Sequence, residues 1–449
     1  TLEVNVVEMV DPNKDSTDVD ADHTKQPYLR YSFESDATSV KTAKDTGADS
    51  HFMTTVPDDA YDDNPAATST ETVDVTKIVA SAKCEDMKFW SPDSPNLYDV
   101  YTVLKDSEGN VLDVQKTTTG FRKVEYDIND GGLKINDQPV WLTGYAQRST
   151  NEWAVIGVAN DWLQDLDMQW IKESNSNFIR WMHVAPKPSQ IRSGDKYGVV
   201  SACPAGDKEA DVDGRAWDQR VEAMRDAMIY FRNSPSVIFW ETGNNAVTAA
   251  HQQEMTDLKN TLDPNGERFC GCRTISSTDQ IQAADYVGTM LNRHASNAKA
   301  SMAAIKKYVP IMETEYAREE APRRVWDDFS PPDYDYRNKW LGAGASKTDG
   351  YDIHDLTSED FSLVDARAYN EFYSDRVGGL SGNDYYSAAA IMVWSDSNMH
   401  NRNTGSENCR TSGKVDPVRI KKDVFYTMQT IQSTTPKLHI VGHWNYPQL

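Results

Sequence analysis

The segment Val309-Pro-Ile-Met-Glu-Thr-Glu-Tyr-Ala-Arg318 runs an apolar stretch straight into two carboxylates at i and i+2, Glu313 and Glu315. On a strand that spacing predicts both side chains on one face. Carboxylates at a strand end suit glycoside cleavage, where one attacks as nucleophile and another donates a proton. The same residues also fit a plain ion-pair cluster with Arg318, Arg323 or Arg324. A second apolar run, Ser234-Pro-Ser-Val-Ile-Phe-Trp-Glu-Thr-Gly-Asn-Asn245, turns polar at Glu241, Asn244 and Asn245. Asparagine amides both donate and accept, as sugar hydroxyls require, and they also make ordinary turns. In Asn177-Phe-Ile-Arg-Trp-Met-His183, Arg180 is charged within an apolar strand. A buried guanidinium there needs a carboxylate or several carbonyls, and a catalytic Glu across a barrel would satisfy it. Trp240 and Trp394 fall at or near strand ends, where a flat ring could meet a sugar's apolar face. With twelve tryptophans in the chain, most must simply pack.

Such residues need a scaffold that brings several strand ends together. From about residue 126 onward, strand-like and helix-like segments alternate. Strands are expected at Trp141–Tyr145, Phe178–Met182, Gly198–Ala202, Val237–Glu241, Tyr286–Thr289, Val309–Glu313 and Ala389–Trp394. Helices are expected at Trp162–Glu173, Trp217–Phe231 and Ala298–Tyr308, the second with Val221, Met224, Met228 and Phe231 on one stripe. Near-continuous apolar strands between helices imply a parallel sheet covered by helices. A doubly wound sheet is the rival, but no G-x-G-x-x-G follows the first strand and no G-x-x-x-x-G-K-[ST] occurs. A (β/α)8 TIM barrel over 126–449 is therefore expected, with its active site at the C-terminal strand ends. An insertion at its mouth is expected over 328–356, where prolines, aspartates and aromatics cluster. Residues 1–125 read instead as short strands without helices: Val4–Val10, Glu71–Val79, Tyr98–Leu104 and Val111–Thr117, the last two flanking the turn at Asp106–Asn110. That pattern implies a small antiparallel β-sandwich.

Composition narrows the partners. A formal net charge of −23 repels phosphate backbones and argues against nucleic acid. No run of 18 apolar residues occurs, so no membrane-spanning helix is expected. Cys84, Cys203, Cys270, Cys272 and Cys409 are too few and too irregular to staple the chain or to build a zinc site. No cofactor is required by any motif, and no spacing demands a metal, although the many carboxylates leave a structural Ca2+ or Mg2+ open. The first residues lack signal-peptide features and an initiating methionine, so a processed or partial chain is expected. A periplasmic or secreted location is expected, with the cytoplasm left open.

Taken together, these segments resemble glycoside hydrolase family 2, the family of many β-galactosidases, β-glucuronidases and β-mannosidases. The resemblance begins at Trp90-Ser-Pro-Asp-Ser-Pro-Asn-Leu-Tyr98, similar to the end of that family's immunoglobulin-like domain. It continues through Thr119-Gly-Phe-Arg122 and Leu133–Leu142 into the barrel. It implies a sugar site lined by Arg180 and His183, an acid/base strand ending at Gly243-Asn244, a nucleophile at Glu315 followed by Tyr316, and an aromatic at Trp394. In that scheme Asn244 holds the 2-hydroxyl, Arg180 orients Glu315, and Glu313 and Asp207 lie near the substrate. The implied activity is that of a retaining, exo-acting β-glycosidase. A β-galactosidase acting on oligosaccharides from a plant or algal polysaccharide is the first expectation, and a β-glucuronidase or β-mannosidase the alternative.

Two departures stand out. No jelly-roll sugar-binding domain precedes the sandwich, so association with a separate sugar-binding domain, or a homo-oligomer, is expected. Moreover, the family's acid/base Glu falls at Asn245, and an amide cannot donate a proton as a carboxylic acid does. Three explanations follow: Glu241 acts from a shifted position; a carboxylate such as Glu254 or Asp207 swings in, or a substrate group assists the departing oxygen; or the site is a Glu→Asn variant or a sugar-binding descendant without turnover. Four residues of strand span about 13 Å, which places Glu241 too low unless the backbone bulges.

Overall fold

A computed structural model describes residues 2–9, 29–34, 40–44, 74–78, 80, 82–149, 160–206, 210–274, 277–289, 309–316, 386–396 and 413–440. The chain divides into two compact units. One comprises Thr1–Trp90, Asn96–Phe121 and Val212–Gln219, the other Ser91–Pro95, Arg122–Asp211 and Arg220–Leu449. The expected insertion at 328–356 and the expected helix at Ala298–Tyr308 lie outside the described residues.

The first unit is antiparallel β structure. Leu29–Glu34, Leu2–Glu8, Tyr98–Lys105 and Val111–Thr119 form a four-stranded sheet in that spatial order, and Val40–Lys44 pairs with Asp74–Ile78. Val6, Tyr98, Tyr101 and Val103 are buried, with Tyr101 and Val103 on one face of their strand. The hairpin turns where the sequence predicts it. Asp106 Oδ1 accepts from the backbone N–H groups of Glu108 and Asn110, and Gly109 takes φ 86°.

The second unit is the barrel. Its strands are β1 (Leu142–Arg148), β2 (Phe178–Met182), β3 (Val200–Pro204), β4 (Val237–Glu241), β5 (Phe269–Gly271), β6 (Val287–Thr289), β7 (Ile311–Tyr316) and β8 (Ala388–Met392). They lie in sequence order around the ring, every recorded pairing parallel, with β8 back beside β1. Between β5 and β6 the ring closes as Gly288 N donates to Cys272 O (3.1 Å) and Asp285 N to Cys270 O (2.7 Å). That seam is tight: a Cβ on Gly288 would lie 2.1 Å from Cys272 O, so only glycine fits.

Helices α1 (Asp161–Glu173), α2 (Pro188–Tyr197), α3 (Arg215–Phe231), α4 (Ala249–Leu262) and α5 (Thr278–Ala283) follow β1 to β5 in turn, and α6 (Asp423–Ile431) follows β8. On α3 the expected stripe is buried at Met224, Met228 and Phe231. Sequence patterning did not reveal β5, α2, α4, α5 or α6. Three residues of Phe-Cys-Gly carry no periodicity, while α2 and α4 are largely polar. Their signals are local: Pro188 opens α2, Gly198 closes it at φ 73°, and the Thr248 side chain caps α4 by accepting from His251 N. Among the described residues, no helix is long and apolar enough to cross a membrane.

The start of β4 is fixed by charged groups. Arg122, from the Thr-Gly-Phe-Arg motif, donates to the carbonyls of Pro235, Val237 and Gly266, and burial pushes it down to about 9. Arg268 donates to Ser234 O and Val237 O while gripping Asp263 through both carboxylate oxygens. Asp195, on α2, accepts from Ser236 N (2.9 Å). Burial pushes the Asp195 carboxyl up to about 6 from its ordinary 3.8, against the lowering effect of its bonds to Ser236. A folded-state value above the unfolded one means stability is greatest below pH 4 and is lost as pH rises through 6. Asp195→Asn keeps an acceptor for Ser236 N–H without that ionisation. Its stability relative to wild type, from urea melts, is expected to rise by up to about 3 kcal/mol between pH 4 and pH 8.

Candidate active site

Inside the barrel, Phe178, Phe239, Phe269 and Tyr286 pack ring against ring, with Phe239 touching each of the other three at centroid distances of 5.2–6.1 Å. Along β2 and β4, two residues beyond Phe178 and Phe239, stand Arg180 and Glu241. The two-residue period puts them on the same face as those rings. Arg180 Nε and Nη2 donate to the two Glu241 oxygens at 2.7 and 2.5 Å, and both residues are fully buried. Arg180 Nη1 reaches Glu315 Oε1 on β7 at 3.0 Å, and Nη2 reaches Asn244 Oδ1 at 2.9 Å. Burial alone would lower the Arg180 pKa. The Glu241 carboxylate, followed by Glu315, more than offsets this and raises it above its ordinary value. Burial, with the Glu241 charge, likewise holds the Tyr286 phenol well above its usual range, so it stays protonated.

These contacts assign different work to the two carboxylates. Glu241 points inward as strand parity predicts, yet it is sealed and bound in bidentate fashion by a guanidinium. That pairing favours the charged form of a carboxylate and places Glu241 as the buried counter-ion of Arg180. Glu315 lies at the edge of the cluster, 5% exposed, with Arg180 Nη1 at 3.0 Å and Arg273 Nε at 3.5 Å from the same oxygen, Oε1.

Glu313 and Glu315 do not act as a pair. The register of β7 against β8 shifts between Glu313 and Tyr316, a bulge that redirects the strand. Glu313 is wholly buried and accepts from Thr289 Oγ1 on neighbouring β6 (2.8 Å), whereas Glu315 reaches across to Arg180. Simple i, i+2 parity failed because it assumes an unbroken strand. Thr314 helps to hold the bulge: its hydroxyl donates to Thr289 O (2.8 Å), and its carbonyl accepts from Arg180 Nη1 (3.5 Å).

Asn245 lies beyond β4, half-buried, and Oδ1 accepts from Arg273 Nη1 at 2.9 Å. The same Nη1 donates to Asn244 O at 2.9 Å. Arg273 went unnoticed in the sequence because β5 itself was not read. Its signal is an arginine two residues beyond a short buried strand, the position at which a barrel presents side chains to its mouth. His183, just past β2, is half-buried with φ 66°, a left-handed backbone that non-glycine residues adopt at a cost. Tyr316 ends β7.

The tryptophan expectation is corrected. Trp240 alternates with the inward Glu241, is fully buried, and donates Nε1–H to Asp263 (3.3 Å). Trp394 is also fully buried; it donates to Asp167 on α1 (2.9 Å) and packs against Tyr145 and Phe425. Both rings fill packing layers and offer no face to a sugar. Glu254 sits on the exposed side of α4, away from the buried cluster. Asp207 lies outside the described residues. Among the described residues, no three His, Cys, Asp or Glu side chains are grouped to hold a metal ion.

Comparison with known proteins agrees with this architecture. The sequence profile of Glycosyl hydrolases family 2 matches residues 17–122, and that of the family's TIM barrel domain matches 126–324. A β-glucuronidase of Formosa agariphila is 34% identical over 373 residues, covering 82% of this chain and 35% of that protein. A β-galactosidase of Photobacterium profundum is 28% identical over 188 residues, covering 39% of this chain and 18% of that protein. The solved structure of a β-glucuronidase from glycoside hydrolase family 2 superimposes with a TM-score of 0.69 at 26% identity, over 99% of this chain and 39% of that one. The chain thus spans about a third of the length of the β-glucuronidase it matches across most of its own residues. Two adjoining profiles of one family, met in order on a sandwich and an eight-stranded barrel, show that the chain belongs to glycoside hydrolase family 2.

Proposed function

We propose that this chain carries the catalytic core of a retaining, exo-acting β-glycosidase for terminal β-linked uronic acids, a β-glucuronidase. The observation that carries the hydrolase reading is Glu315, held at the edge of a buried cluster by Arg180 and Arg273. A nucleophile must be ionised and fixed, and two cations beside one carboxylate favour both. The choice of sugar rests on relatives. The β-glucuronidase match covers 82% of this chain, against 39% for the β-galactosidase, so the uronide takes precedence over the galactoside expected from sequence.

In this mechanism a Glu315 oxygen attacks the anomeric carbon, and water later releases the enzyme-bound sugar. Asn244 is set for the 2-hydroxyl. Because Arg180 is purely a donor, it fixes the Asn244 oxygen towards itself and turns the amide nitrogen away as a donor. A second reading, sugar binding without turnover, is favoured by Asn245 alone.

A panel of 4-nitrophenyl β-glucuronide, β-galactoside and β-mannoside discriminates these readings. The glucuronide is expected to show the highest kcat/KM, and Glu315→Gln to lower it by roughly a thousandfold or more with the fold intact. Preference for the galactoside would reject the uronide assignment, and sugar binding without hydrolysis would favour the second reading. Glu241→Gln should behave differently. By stripping charge compensation from buried Arg180, it is expected to cost roughly 3–5 kcal/mol of stability in denaturant titrations.

A further inference from the structure

Position 245 stands where the family resemblance puts a proton donor, and its neighbour changes what that place can do. Arg273 Nη1 donates to Asn245 Oδ1 and to Asn244 O, both at 2.9 Å, while Arg273 Nε lies 3.5 Å from Glu315 Oε1. One guanidinium therefore connects the end of β4 to Glu315, the proposed nucleophile. An arginine does not give up its proton in a protein. Beside a breaking bond it stabilises developing negative charge instead. The amide follows from the same contact. A glutamate against Arg273 would be held ionised and would be no acid, whereas asparagine accepts the hydrogen bond without a charge.

We propose that Arg273 is the electrophilic residue on the leaving-group side, and that the site cleaves β-glycosides whose aglycone departs as an anion, namely phenols, enols and carboxylic acids. The proposal rests on Glu315 as nucleophile. A carboxylate electron pair forms the bond to the anomeric carbon, and the electron pair of the broken C–O bond stays on the aglycone oxygen. Arg273 holds that oxyanion until it takes a proton from solvent water. In the second half, water attacks the anomeric carbon, the bonding pair returns to Glu315, and the water's proton passes to solvent.

The test is the dependence of kcat/KM on leaving-group basicity and on pH. The 4-nitrophenyl, phenyl and methyl β-glycosides of the sugar preferred in the panel above would be compared for wild type, R273Q, R273K and the double variant N245E/R273Q. Wild type is expected to cleave the methyl glycoside at least roughly ten-thousandfold more slowly than the nitrophenyl one, without a general-acid limb on the alkaline side. R273Q should lose roughly a hundred- to thousandfold on the nitrophenyl substrate, with partial recovery in R273K. N245E/R273Q should narrow the leaving-group ratio and introduce an alkaline limb, since position 245 then carries a carboxyl free of the cation. A wild-type methyl rate within tenfold of the nitrophenyl rate, an alkaline limb in wild type, or an unchanged R273Q would overturn the proposal. The first two outcomes need no variant, so poor folding of R273Q does not shield it. Failure of every aryl glycoside, with Glu315→Gln indistinguishable from wild type, overturns the nucleophile reading as well and is recognisable as that separate result.

Discussion

A fully buried guanidinium in the centre of a barrel is costly unless every one of its directions is met, and Arg180 sets the terms for the rest of this unit. Its fork is answered by Glu241 from β4, Asn244 just beyond β4, and Glu315 and the Thr314 carbonyl from β7. These groups come from strands on different sides of the ring, so they converge only when the barrel is closed. The seam between β5 and β6, where glycine alone fits, is therefore a condition for the ion cluster as well as for the sheet. Phe178, Phe239, Phe269 and Tyr286 fill the interior beside it, and this low-dielectric packing strengthens the charge contacts.

The same cluster separates structural from chemical duty between residues of one type. Glu241 and Glu315 both bind Arg180, yet one is sealed and the other sits at the edge. A bidentate, solvent-free carboxylate serves as a counter-ion. A carboxylate with one oxygen on Arg180 and a second cation nearby is oriented and ionised at the mouth of the barrel, which is what an attacking group requires. Arg273 links Glu315 to Asn245, so the surroundings of the proposed nucleophile and the end of β4 are coupled through one guanidinium.

The opposite ends of the strands carry the complementary load. Arg122, Arg268 and Asp195 pin the backbone at the start of β4 through carbonyls and an amide N–H. β4 is thus anchored where it begins, and where it ends it brings Glu241 and Asn244 to Arg180. Trp240, within β4, and Trp394, just past the end of β8, are packed as well, with their indole N–H groups tied to Asp263 and Asp167.

By itself the sequence determined the alternation that makes a sandwich and then a barrel, the strands at Phe178–Met182 and Val237–Glu241 to the residue, and the need of Arg180 for a carboxylate partner. These were legible because periodicity and the cost of burying a charge are local properties. Tertiary structure alone decided which carboxylate that partner is, and it chose Glu241 and Glu315 together. It also decided that a bulge turns Glu313 away to Thr289, that the two tryptophans face packing layers, and that Arg273 joins the site from a strand too short to show a period. Each of these depends on register and on contacts between strands far apart in the chain. A pattern of residue types along one segment carries no record of which neighbour will stand opposite it.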